Sequence, residues 1–381
     1  MRIELTDKQQ EDRAAFRAFA QTHVAHLADQ CDREERLPPD LWKTLAEHGY
    51  LAGGLPPAYG GAGMDMVTYG LLCEEIGRAC TSARSLLTVQ GMVTQPLLKW
   101  GSASQKQIWL PRIASGETLS AFAMTEPGVG SDALHITTTA VRDGSSFVLN
   151  GRKKWISFGQ IAGVFLVFAQ CEGKFVALLV ERDRPGLVVR PISGLIGDRA
   201  AMLAEVDLDD CRVPEDQLVG RVGFGFSCVA STGLDFGRYS VAWGCTGIAQ
   251  ACLDACLRYT SERKQFDTYL KNHQLVQRMI ADMVANLRAA RLLCYQAGYQ
   301  KDRGDAAAVM TTLIAKYFAS TMVNRVASDA VQIHGASGCS AEHPVQRHMR
   351  DAKIMEIIEG TTQIQQIAIA KNAYQDRDDL V

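Results

Sequence analysis

Residues 140–157, "AVRDGSSFVLNGRKKWIS", decide how the chain is organised. Asp143–Gly144 and Asn150–Gly151 are turn signals, and the residues around them read as strands. Strand-like runs follow in "VFLVFAQ", "KFVALLVE" and "GLVVRPI", while "AEVDLDDCRVP" alternates apolar with acidic residues as a half-exposed strand would. On the near side, from Thr6 to about Gly116, apolar residues recur at helical spacing, as in Phe16, Phe19, Val24 and Leu27. The Gly- and Pro-rich "GGLPPAYGGAG" interrupts them as a loop. After "GRVGFGF" (Gly220–Phe226), long amphipathic helical patterns run to the end. This segregation predicts an α+β fold rather than a wound parallel sheet. The expected division is an N-terminal all-α domain over 1–119, a central β domain over 120–222 and a C-terminal helical domain over 223–381.

Forty basic against forty-two acidic residues leave a formal net charge of −2, so nucleic acid is not an expected partner. No apolar stretch approaches the roughly 20 residues that span a bilayer, and "MRIELTDKQQEDRAAF" is too polar for a secretory signal. Eleven cysteines without a CxxC or a Cys/His metal spacing predict reduced, mostly buried thiols in a cytoplasmic protein, with no metal site.

Several stretches could carry chemistry. The glycines of "TEPGVGSD" (Thr125–Asp132) could bring backbone N–H groups to carbonyl or phosphate oxygens, although a plain turn explains them equally. "NGRKKWIS" presents Trp155 near a strand end, either as a core residue or as a wall against a planar cofactor. The cations of "SERKQF" suit a helix C-terminus or a pyrophosphate. "VQIHGASG" is a helix C-cap or a place of close ligand approach. No GxGxxG, P-loop or GxSxG motif is present.

Taken together and in order, "AFAMTEPGVGSD", "NGRKKWIS", "ERKQF" with His273-Gln274, "QIHGASG" and "RDAKIMEIIEGTTQIQ" resemble the signatures of the acyl-CoA dehydrogenase family over essentially the whole chain. The resemblance implies a helical domain, an antiparallel β domain and a C-terminal four-helix bundle, with FAD bound between the β domain and the C-terminal helices. It implies that Phe122, Met124, Thr125, Gly130 and Ser131 meet the flavin or the substrate thioester, and that Trp155, Ile156 and Ser157 cover the flavin ring. Arg263, Phe266 and Gln274 would hold the dinucleotide, and Gln332, Gly335 and Ala336 would reach the FAD of a neighbouring subunit, so a homodimer or homotetramer is expected. Thr361 and Gln363 would complete the flavin site, and Asp235, Arg238 and Gly360 would contact the substrate.

Glu356 and Glu359 compete for the role of base. Val345, Ala352 and Met355 lie on one helical face that Glu359 continues, whereas Glu356 follows Lys353 at ion-pair spacing. A carboxylate on an apolar face is desolvated and more basic. In many family members the catalytic glutamate directly precedes such a Gly-Thr/Ser-x-Gln run, so Glu359 is the expected base. "GRYSVAWGCTGIAQACL" and "AKIMEIIEGTTQ" further resemble a branch that oxidises short acyl groups on acyl carrier proteins, on the way to hydroxymalonyl or methoxymalonyl extender units. Gln90, Thr94 and Gln95 offer polar groups for such a substrate. A catabolic short- or branched-chain acyl-CoA dehydrogenase is the alternative. Less favoured are a flavin oxidase or monooxygenase and a non-catalytic thioester-binding protein on the same fold. The electron acceptor would be a flavoprotein or oxygen.

Overall fold

The computed structural model describes residues 4–375; the outermost limits of the expected domains, 1–3 and 376–381, lie outside it. Helices α1 (Asp7–Phe19), α2 (Ala28–Glu34), α3 (Pro39–Glu47), α4 (Met66–Ala79), α5 (Thr81–Trp100) and α6 (Ala103–Ala114) come first. Helix α1 starts at a capping box in which the Thr6 hydroxyl accepts from the Gln9 backbone N–H and the Gln9 side chain accepts from the Thr6 N–H.

Seven strands then form one sheet: β1 (Ser120–Ala123), β2 (Thr139–Asp143), β3 (Ser146–Ile156), β4 (Val164–Cys171), β5 (Lys174–Glu181), β6 (Leu187–Pro191) and β7 (Ala204–Pro214). Their pairing is predominantly antiparallel, with parallel contacts where β1 and β2 meet β4. Strands β4 and β5 are buried on both faces, which is why they read as unbroken apolar runs; β7 alternates because one face is less covered. Asn150–Gly151 is not the second turn that the sequence suggested. It is a bulge inside β3, where a Cβ at Gly151 would come within 2.8 Å of the Thr138 backbone.

The chain closes with α7 (Ser231–Glu262), α8 (Gln274–Asp302), α9 (Ala308–His334), α10 (Val345–Met355) and α11 (Thr362–Gln375). A short hairpin, β8 (Lys264–Gln265) and β9 (Thr268–Tyr269), follows α7 where the sequence promised only a helix end; Phe266 and Asp267 turn it with positive φ. The architecture is α+β. Helix α7 is buried on nearly every side and packs on α4, α5, α8 and α9. Trp243 fits there because a Cβ at the facing Gly70 would come within 2.2 Å of its indole nitrogen. All eleven cysteines are free and nine of them are buried. Among the described residues no helix is long and apolar enough to cross a membrane, and no cluster suits a metal ion.

Candidate active site

Helix α10 stops at Met355, so Glu359 does not continue its apolar face as the spacing implied. It stands in the turn beyond, where Glu359 (φ 56°) and Gly360 (φ 85°) are consecutively left-handed. Glycine adopts that backbone freely, whereas a glutamate there is strained, a cost that functional sites tolerate. The residue as a whole is half-buried, but its Oε2 is sealed from solvent and has no hydrogen-bond partner. Burial pushes the Glu359 carboxyl up to about 7, against the opposing pull of Arg238, Lys316 and Arg84. Glu356 instead pairs with Lys353 at 2.7 Å near the surface.

Three elements clamp the Glu359–Gly360 turn. From α7, Arg238 Nε donates to the Glu359 carbonyl at 3.0 Å. From α9, Lys316 Nζ donates to the Gly360 carbonyl at 2.8 Å. From α11, Gln365 Nε2 donates to both carbonyls, at 3.1 and 3.2 Å. Lys316 and Gln365 are fully buried. Sequence reasoning missed both; the one visible signal is a lysine and a glutamine on otherwise apolar helical faces. The Glu359 backbone N–H has no acceptor among the described residues. Asp235, four residues before Tyr239, is held by the Lys301 ammonium.

The β sheet reaches this site through Phe122. A Cβ at Gly233 would come within 2.8 Å of the Phe122 ring, one helical turn before Gly237, over which the Glu359 carboxyl lies. Strand β1 leads into Met124, whose side chain is buried, and Thr125, whose carbonyl accepts from the Lys154 N–H at 2.9 Å. The register shift between Lys153 and Ile156 puts Trp155 on a bulge, at φ 62° and half exposed at 49%. Ile156 is 2% exposed and packs in the sheet core, so its backbone alone can meet a ligand. Ser157 and Thr361 are half-buried, and Gly130, Ser131 and Gln363 are exposed.

The loop after β1 is anchored by a feature that the sequence did not reveal. Glu126 and Lys153 form a buried ion pair at 2.8 Å, and the carboxylate also accepts from the backbone N–H and hydroxyl of both Thr137 and Thr138. Against its burial, the Lys153 ammonium and these donors hold the Glu126 carboxyl down at about 2.

The remaining expected residues gather elsewhere. Arg263, Phe266, Gln274, Gln332, Gly335 and Ala336 are all exposed, Phe266 at 91%. Tyr259 near the end of α7 stacks on His334 at the end of α9, with 4.3 Å between ring centroids, which draws these segments together. Gln332 lies sixteen residues along α9 from Lys316, about 24 Å at the helical rise. The site residues therefore form two groups. Of the polar groups offered on α5, Gln90 is not available to a ligand: it accepts from the Ser120 N–H and hydroxyl and donates to the Ser120 carbonyl.

The first group fits a flavin. An exposed indole on a bulge, a glycine-bearing loop after β1 and an unpaired backbone N–H at Glu359 are the kinds of group that suit a planar aromatic ring with carbonyl oxygens.

Residues 6–117, 121–211 and 223–374 match the family models for the N-terminal, middle and C-terminal domains of acyl-CoA dehydrogenase. The chain is 39% identical over 378 residues to the probable acyl-CoA dehydrogenase YngJ of Bacillus subtilis, covering 97% of this chain and 99% of that one. It is 38% identical over 374 residues to the mitochondrial short-chain specific acyl-CoA dehydrogenase of Mus musculus, covering 97% and 90%. Among solved structures it resembles butyryl-CoA dehydrogenase of Megasphaera elsdenii with a TM-score of 0.94, 32% identity and coverage of 98% and 100%. It also resembles the prolyl acyl carrier protein oxidase AnaB (TM-score 0.92, 27% identity, coverage 97% and 99%). The fifth is FkbI, for biosynthesis of the methoxymalonyl extender unit of the polyketide Fk520 (TM-score 0.88, 32% identity, coverage 96% and 99%).

Proposed function

We propose, from the premise that the chain belongs to the acyl-CoA dehydrogenase family of FAD-dependent oxidoreductases acting on acyl thioesters, that it oxidises a short acyl group with Glu359 as the base. The observation that carries this is the Glu359 carboxyl, with Oε2 sealed from solvent and unpaired and with burial pushing the group up to about 7. A base poised there is about half ionised at neutral pH and strong enough to take an α-proton. Bound FAD supplies the acceptor for the hydride leaving the β-carbon. The chain's own residues do the rest. Glu359 removes the proton, and its backbone N–H is free to donate to the thioester oxygen as charge develops there. Arg238, Lys316 and Gln365 hold the turn so that both groups keep their aim.

On this reading Phe122, Met124, Thr125, Gly130, Ser131, Trp155, Ile156, Ser157, Thr361 and Gln363 hold the flavin. Gln332, Gly335 and Ala336 serve a neighbouring subunit's FAD in a homodimer or homotetramer, and Arg263, Phe266 and Gln274, expected only to hold the dinucleotide, lie in the same exposed set. The distance of that set from Glu359 supports the division. The acyl group is carried by an acyl carrier protein in extender-unit biosynthesis in the cytoplasm, a reading supported by likeness to the carrier-protein oxidase and to FkbI. Electrons would leave to a flavoprotein or to oxygen. A catabolic acyl-CoA dehydrogenase is the second reading, favoured by the identity to short-chain enzymes.

The test is anaerobic mixing of the flavoprotein with short acyl groups presented on coenzyme A and on a carrier protein, while the oxidised flavin band is followed. Bleaching by carrier-bound acyl groups alone, lost in Glu359→Gln, upholds the proposal. Bleaching by free acyl-CoAs moves the function to catabolism, and bleaching indifferent to Glu359 removes the base assignment.

A further inference from the structure

One stretch of surface is left to cations. No Asp or Glu occurs between residues 76 and 116 or between residues 217 and 234. These two segments meet where the end of α5 packs on the π-helical turn Gly225–Ala230, which leads straight into α7. Lys99 and Arg221 are exposed there, and neither pairs with a carboxylate among the described residues. The acids nearest to Arg221 along the chain are engaged elsewhere. Glu215 pairs with Arg142 at 2.6 Å, and the Asp216 carboxylate accepts from the Gln217 amide at 3.0 Å.

Each cation lies over a ring instead. Lys99 Nζ is 5.2 Å from the centroid of Trp100, and Arg221 Cζ is 4.1 Å from that of Phe224. The two rings meet edge to face with 5.9 Å between centroids, so cation, ring, ring and cation form one half-buried row. The row is fixed from below. The Trp100 indole N–H donates to the Thr232 hydroxyl at 3.0 Å, and a Cβ at Gly225 would come within 2.7 Å of the Val176 backbone. Side chains held in this way lose little freedom when a partner binds, and Trp with Arg is the usual content of an interface centre. The row also stands at the outer end of a line from the base. The Glu359 carboxyl lies over Gly237, the Phe122 ring faces Gly233, and Thr232 is the next residue outward. Phe224 precedes Gly237 by thirteen residues, about 20 Å at the helical rise. An extended phosphopantetheine arm has that reach.

Resting on the carrier-bound reading above, we infer that Lys99, Trp100, Phe224 and Arg221 form a docking surface for an acidic acyl carrier protein, whose phosphopantetheine arm runs from there to Glu359. An acidic helix on the carrier supplies the carboxylates that this surface lacks, and its apolar residues cover the two rings. The cations stand at opposite ends of the row with the rings between them. That spread suits the face of a protein helix better than the single nucleotide of coenzyme A.

The test uses the flavoprotein with a butyryl group borne on pantetheine, on coenzyme A and on an acidic acyl carrier protein. Calorimetry gives the binding of the non-oxidisable thioether analogues, and flavin bleaching gives the rates for the thioesters. Wild type should bind the carrier-borne analogue at least tenfold more tightly than the pantetheine-borne one at low ionic strength. Most of that gain should disappear in about 0.5 M salt. Reversing both surface charges in Lys99→Glu/Arg221→Glu should abolish the gain while the pantetheine-borne analogue keeps its affinity. Lys43→Glu, a reversal at an exposed site on α3, should change nothing. No gain from the carrier, or a gain untouched by the double variant, overturns the inference. An equal loss for the coenzyme A-borne analogue also overturns it, because the cations would then read the nucleotide phosphates. Carrier binding that the double variant loses, without any bleaching, would sustain the docking surface while removing the oxidation itself.

Discussion

The Glu359 carboxyl lies directly over Gly237 of α7, so that a methyl group at Gly237 would come within 2.6 Å of Oε2 and 2.7 Å of the carboxyl carbon. Gly237→Ala must therefore push the base aside while leaving the flavin-facing strands untouched. A displacement near 1 Å costs on the order of 10²-fold in rate. Stopped-flow flavin reduction should fall by that much with flavin content unchanged; a variant with wild-type rate would show that the carboxyl does not work from this position.

The pH dependence follows from the Glu359 carboxyl at about 7. Because the ionised form is the base, kcat/KM should rise through about pH 7 and level off above it. Glu359→Gln should slow flavin reduction by roughly 10²- to 10⁴-fold and remove this limb. A flat profile between pH 5.5 and 8.5 would exclude Glu359 as the titrating base.

The same shift affects stability. Folding raises the Glu359 carboxyl from its ordinary 4.5 to about 7. Below 4.5 both states hold the proton and nothing is lost. Between 4.5 and 7 the unfolded chain releases it first, so destabilisation grows with pH and becomes constant above 7, at up to about 3 kcal/mol. Calorimetric melts should find Glu359→Gln more stable than wild type at pH 8 and indistinguishable near pH 4.5. An equal gain at both values would assign the effect to packing instead.

Lys316 lowers the Glu359 carboxyl and holds the Gly360 carbonyl. Its removal in Lys316→Met should move the kcat/KM limb to higher pH and reduce kcat by about tenfold through a looser turn. A reduced rate with an unmoved limb would leave Lys316 only a structural part.

Breaking the buried pair below the glycine loop leaves an uncompensated charge. Lys153→Met should lose about 3–5 kcal/mol, partly recovered in the Lys153→Met/Glu126→Gln double variant. Denaturant unfolding of the set measures this, and additive losses would mean that the pair is not coupled.

The sequence by itself determined the segregation of helices and strands, because burial on one face imposes the 3.6 and 2 residue periods directly on the residue order. It also set Glu356 at an ion-pair spacing from Lys353 that the contact between them reproduces. Its reason for burying the Glu359 carboxyl, continuation of the α10 apolar face, does not hold. The residue lies in a left-handed turn beyond α10, and what surrounds its carboxyl comes from α5 and α7. The Glu126–Lys153 pair carried no local signal, and Lys316 and Gln365 only that of a polar residue on an apolar helical face. Lys316 meets Gly360 44 residues on and Lys153 meets Glu126 27 residues back, while Gln365 reaches back only five or six residues but across a turn that folding sets. The charge of a buried residue takes its meaning from what packs against it. Only the tertiary structure decides that, since the dielectric and the hydrogen-bond partners of a side chain are set by neighbours in space.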